Sequence, residues 1–115
     1  MLRDIQAATV VTVADATFAD TVLAADRPVV VDFWADWCPP CKAISRSLAE
    51  LAEEFGDRMA VATLDVDANP ETTRAYGVLA MPTLLVFRGG EVIGSLVGAR
   101  PKAHLRHALA EHLQA

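Results

Sequence analysis

Val29-Val30-Val31-Asp32-Phe33-Trp34-Ala35-Asp36-Trp37-Cys38-Pro39-Pro40-Cys41-Lys42 is the stretch that decides both the fold and the chemistry of this chain. Its first six residues are apolar on both faces except at Asp32, which is the pattern of a strand in the middle of a sheet. Beyond it Cys41, Ile44, Leu48, Leu51 and Phe55 recur at three-four spacing, so a helix lays one apolar stripe on the sheet while Glu50, Glu53 and Glu54 face water. Cys38 therefore stands at a strand-to-helix junction, over a helix N-terminus whose unpaired N–H groups and macrodipole favour an anion. One turn on, Cys41 comes within disulfide reach, so the pair can open and close without moving the rest of the fold.

These are the only two cysteines. Two thiolates do not complete a four-coordinate zinc site, and no His-x-x-x-His stands nearby to supply the rest. A structural disulfide over so short a loop removes little entropy from the unfolded chain. The reading is a redox dithiol. The three histidines lie toward the C-terminus, and His104 and His107, which could share one helix face, read as solvated residues with no metal site expected.

With 115 residues, a net charge of -5 and 53% hydrophobic residues, residues 1–115 read as one acidic domain with enough apolar side chain for a core. Nucleic acid is excluded as a partner, because no run of Lys or Arg is present to neutralise phosphates. No apolar run reaches the length of a membrane helix. Arg3, the run from Ala7 to Ala14 and Ala14-Asp15-Ala16 imitate a weak export leader. Asp4 spoils its positive start and Val10-Val11-Thr12-Val13 reads as a strand, so we expect the segment to be kept and the protein to be cytoplasmic and monomeric. A reducing compartment fits a catalytic dithiol better than a structural bridge.

Along the chain, Thr9 to Val13 reads as a first strand. Asp15 to Ala25 reads as a helix capped by Asp15, with Phe18, Val22 and Leu23 inward. Arg27-Pro28 breaks it and launches Val29 to Trp34; Gly56 stops the next helix. Ala60 to Asp65 is another strand, and Asn69-Pro70 starts a short helix through Ala75. Thr83 to Arg88 and Glu91 to Val97, split by Gly89-Gly90, form an antiparallel hairpin. Pro101 opens a last helix with the stripe Leu105, Leu109 and Leu113, Ala108 beside it. This order gives an α/β fold, a central mixed β-sheet flanked by helices on both faces.

The chain resembles a thioredoxin over nearly its whole length. The likeness is carried by Val31 to Cys38, Cys41-Lys42, Asp65-Val66-Asp67-Ala68-Asn69-Pro70, Tyr76-Gly77-Val78, Met81-Pro82-Thr83-Leu84 and Gly98-Ala99. It implies the thioredoxin fold and reduction of protein disulfides, with no bound cofactor beyond a reversible Cys38–Cys41 disulfide. Electrons would return from a thioredoxin reductase that draws on NADPH. Cys38 then resembles the attacking thiolate, Cys41 the resolving thiol and Asp32 the buried acid that manages the proton of Cys41. An acid in an apolar strand is costly as an anion, so its pKa should rise. Pro82 takes the place of the family's cis proline, with the Met81 backbone free to pair with an extended substrate. Trp37, Pro40, Met81, Gly98 and Ala99 should rim an exposed nucleophile as an apolar platform, with Trp34 structural.

The departures concern tuning. Pro39 replaces a common glycine, removing an N–H from the active-site turn and stiffening it, with the sign of the redox effect left open. Thr63 replaces a lysine near the buried acid and leaves a hydroxyl to hydrogen-bond instead. Lys42 lies close enough in sequence to screen the thiolate. Arg46 stands at a common proline, so the helix should run straighter, and Ala80 replaces a glycine before Met81. Two competing functions remain at this point: an oxidant or isomerase tuned by Pro39, and a binding module in which redox chemistry is incidental.

Overall fold

A computed structural model describes residues 10–114. Thr9, at the start of the expected first strand, and Arg3, Asp4 and Ala7-Ala8 of the leader-like stretch lie outside the described residues. Five strands make one mixed sheet in the order β1-β3-β2-β4-β5: β1 Val10–Thr12, β2 Val29–Trp34, β3 Ala60–Asp65, β4 Thr83–Arg88 and β5 Glu91–Val97. Three α-helices join them, α1 Pro39–Phe55, α2 Pro70–Ala75 and α3 Lys102–Ala110.

The uniformly apolar β2 lies at the centre, parallel to β3 and antiparallel to β4, so both of its edges are paired. Side chains alternate along it. Val29, Val31 and Phe33 enter one core with Phe18, Val22 and Phe87, and Val30 enters the other with Ile44, Leu48, Val61, Leu105 and Leu109. Asp32 shares the parity of Val30, which puts an acid on the face covered by α1 and α3. The first core is locked by Phe18, Tyr76 and Phe87, whose ring centroids lie 5.2, 5.4 and 5.7 Å apart pairwise.

Gly89 and Gly90 turn the β4–β5 hairpin with φ of 59° and 83°, values that cost a residue without Cβ little. Beyond the turn the register slips between Val86 and Phe87, a bulge the alternation alone did not indicate. On the second face α3 is clasped to α1 by Arg106, whose Nε and Nη2 donate to the two carboxylate oxygens of Glu54 at 2.8 and 3.0 Å, and by Lys102, 2.9 Å from Glu50. Leu105 and Leu109 are buried as expected. Leu113, read as the third member of that stripe, lies beyond the helix end but still packs on the same core.

The stretch from Asp15 to Ala25 departs from the expected helix. Only Ala19–Leu23 is helical, as a π-helical turn closed by the Ala24 N–H donating to Ala19 O. Asp15 does not cap it. Its carboxylate crosses to α2 and accepts the N–H groups of Thr72 at 2.8 Å and Glu71 at 3.2 Å, while its own N–H donates to Asn69 Oδ1 at 2.8 Å. Partial burial pushes the Asp15 pKa up, but the bonds from Thr72 and Glu71 and the charge of Arg74 outweigh it and leave the pKa lowered. A depressed carboxylate stabilises the fold above its unfolded value and loses that effect as pH falls through its folded value. Asp15→Ala is therefore expected to lower the urea midpoint at neutral pH, with the gap from the parent closing on acidification. An equal gap at all pH values would mean the loss is packing and not the cap.

Candidate functional site

Cys38 caps α1 in an extended conformation, and its position is fixed from both sides. Its N–H donates to Ala35 O at 3.1 Å, and its carbonyl accepts the N–H of Cys41, also at 3.1 Å. Because Pro39 and Pro40 are the first two helical residues, that Cys41 N–H is the first amide the helix can offer, and the Cys38 carbonyl takes it. Cys38 and Cys41 are joined as a disulfide, with Cα atoms 5.4 Å apart. Both belong to the core on the Phe33 side, whereas the rest of the α1 stripe packs on the opposite side. The first turn of α1 thus straddles the carboxyl end of β2, where open α/β sheets place their ligands.

The expected exposure of the nucleophile needs correction. In the disulfide Cys38 is 5% exposed and Cys41 2%, because the sulfurs turn into the apolar core while Pro39, Pro40 and Trp37 stand outside. Trp37 is 64% exposed, its indole Nε1 donating to Asp67 Oδ2 at 2.9 Å. Asp67 carried no role in the sequence reading, since nothing in the spacing links it to a residue thirty positions earlier.

Asp32 is fully buried. Burial pushes its pKa up to about 6, against the pull of one hydrogen bond, in which Ser45 Oγ donates to Oδ2 at 2.8 Å. Oδ1 has no partner. Thr63, expected to supply the hydroxyl, lies opposite Asp32 in the β2–β3 register but makes no hydrogen bond to it. The donor comes from α1 instead. Ser45 is four residues after Cys41 and flanks the apolar stripe, and a small polar residue at that position was the available signal. An open groove of about 400 Å³ at this point is lined by Trp34, Cys41, Lys42, Ser45, Arg46 and Thr63.

The Met81-Pro82 bond is cis. Met81 is half-buried against the core that holds the two cysteines, and the Gly98 N–H donates to Pro82 O at 2.8 Å, which ties Gly98 and its exposed neighbour Ala99 to the proline. Two apolar residues that the sequence did not single out stand nearby: Leu79, 93% exposed, and Val97 share a groove with Ala80 and Thr83. Among the described residues no three metal-ligating side chains come together, and no helix is long and apolar enough to cross a membrane. The chemistry on offer is a dithiol–disulfide pair with an acid titrating near neutrality on the strand beneath it.

Comparison with known proteins agrees with this geometry. Residues 9–111 match the sequence profile of the family described as Thioredoxin. A thioredoxin of Alicyclobacillus acidocaldarius subsp. acidocaldarius is 46% identical over 103 residues, covering 90% of this chain and 97% of that protein. A thioredoxin of Mycobacterium tuberculosis (strain ATCC 25618 / H37Rv) is 44% identical over 110 residues, covering 96% and 95%. A bifunctional thioredoxin reductase/thioredoxin of Mycobacterium leprae (strain TN) is 46% identical over 99 residues, 86% of this chain but only 22% of that longer protein.

Proposed function

The chain belongs to the thioredoxin family and is a thiol–disulfide oxidoreductase that reduces protein disulfides, and from that premise we propose how its residues divide the work. The Cys38 thiolate attacks one sulfur of a substrate disulfide, forming a mixed disulfide and releasing the other substrate sulfur as a thiolate. Cys41 then gives up its proton to Asp32 and attacks Cys38 Sγ. The second substrate sulfur leaves, and the two electrons of the dithiol have passed to the substrate. The Cys38–Cys41 pair on the helix start, with a buried acid on the adjoining strand, is the observation that carries this reading.

Substrate segments dock along Trp37, Pro40, Met81, Pro82, Gly98 and Ala99. That assignment is supported by the packing of Met81 with the cysteines and the bond between Gly98 and Pro82. Lys42 and Thr63, on the groove wall beside Cys41, adjust the field there. The partners are disulfide-bearing proteins and a thioredoxin reductase drawing on NADPH, a pairing that the bifunctional Mycobacterium leprae relative carries in its name. We read residues 1–115 as one domain, working as a monomer in the cytoplasm, where a thiol pool keeps such a dithiol cycling.

Equilibration against glutathione tests the direction of electron flow. A poise near the reference value of about −270 mV for thioredoxin supports the reductase, and one near about −180 mV makes the protein an oxidant or isomerase. The same titration reads the part played by Pro39. With both leading residues of α1 lacking an N–H, a glycine at 39 restores a donor near the sulfur, which favours the thiolate. It also frees a turn that must accommodate both dithiol and disulfide. Pro39→Gly is expected to shift the potential by roughly 30 mV, a tenfold change in the equilibrium, without unfolding the protein. A potential within a few millivolts of the parent would show that Pro39 does no redox tuning.

A further inference from the structure

We infer that Ser45 is the positioning residue for Asp32: its hydroxyl holds Oδ2 and leaves Oδ1 as the one oxygen free to exchange the proton of Cys41. The inference rests on the proton-handling role of Asp32 proposed above and adds the residue that orients it. Its basis is geometric. A serine inside a helix ordinarily turns its hydroxyl back to the carbonyl four residues earlier, which here belongs to Cys41. Ser45 instead donates across the interface to the carboxylate of β2, at 2.8 Å. Oδ1 is left buried without a partner, so the two oxygens of one acid are chemically unequal.

The site is otherwise bare. Thr63 on β3 and Leu84 on β4 flank Asp32 in register, and α3 brings Leu105 and Leu109 to the same face. Lys42 and Arg46 are the cations on the groove wall, both exposed and neither bonded to the acid. Among the described residues no charged group touches the carboxylate, so Ser45 is the one polar contact that can set its orientation and its proton affinity. The direction follows from the hydrogen bond. A donated O–H favours the anion and opposes burial, so losing it makes Asp32 hold its proton to higher pH.

The test uses the full-length protein. Carbon-13 NMR of the Asp32 carboxyl in the oxidised form gives its titration directly. Stopped-flow release of glutathione from a mixed disulfide on Cys38 gives the pH profile of resolution by Cys41. Ser45→Ala should move the Asp32 titration upward by about one pH unit and carry the acid limb of the release profile with it, a tenfold loss of rate on that limb. Ser45→Thr, which keeps a hydroxyl, should restore both. An unmoved titration in Ser45→Ala, or an equal shift in Ser45→Thr, overturns the role of Ser45. If Asp32→Asn removes the acid limb while Ser45→Ala leaves both readouts in place, Asp32 keeps its role and Ser45 loses it. If Asp32→Asn leaves the limb untouched, the parent reading fails and this one with it.

Discussion

Cys38→Ser is expected to abolish disulfide reduction, and Cys41→Ser to leave a protein that accumulates a mixed disulfide it does not resolve. The asymmetry comes from position. Cys38 is the capping residue of α1, at the positive end of the helix, and keeps the larger exposure of the two; Cys41 lies one turn inside and shares its groove with Ser45, the residue that bonds Asp32. With insulin as the disulfide substrate, turnover by either variant should fall to the uncatalysed rate. Only Cys41→Ser should yield a covalent adduct, visible by mass and lost on adding a reductant. Brief alkylation of the reduced parent with iodoacetamide should label Cys38 first. Labelling of Cys41 first would reverse the two roles and sink the mechanism as written.

What could be read from the sequence was whatever depends on local period and on chemistry at fixed spacing. The bounds of β2 follow from an apolar run closed by Pro28 on one side and the cysteine turn on the other, and those of α1 from a stripe ending at Gly56. The hairpin was legible for the same reason, since two glycines between strands leave few conformations open. Long-range polar pairing was not. Asp15 reads locally as the cap of its own helix, yet it caps α2, more than fifty positions on, because the fold brings β1 and α2 to the same end of the sheet. The donor to Asp32 was misassigned in the same way. Thr63 is its neighbour in the register and shares its face, but its hydroxyl makes no hydrogen bond to the carboxylate. Ser45 reaches the acid because α1 crosses that face of β2.

Asp32→Asn should give a protein more stable at neutral pH and slower to resolve mixed disulfides. The folded protein holds this proton until about pH 6, whereas an ordinary aspartate releases it near 3.8. Between those values the native state binds more protons than the unfolded state, so stability falls as pH rises through that window, and the full penalty stands above it. A displacement of about two pKa units corresponds to roughly 3 kcal/mol, which bounds what the substitution can recover at pH 7. The amide keeps an oxygen for the Ser45 hydroxyl, so the recovered energy is the cost of burying charge and not a repacking of β2. Denaturant melts of both proteins should therefore coincide at about pH 3, below both values, and separate by roughly 2–3 kcal/mol at pH 7, the variant above the parent. Resolution should meanwhile slow by at least about tenfold near neutrality, because Cys41 has lost the group that takes its proton. A variant that is less stable at pH 7 and resolves at the parent's rate would make Asp32 a structural acid, and the proton would have to leave Cys41 by direct transfer to water in the groove.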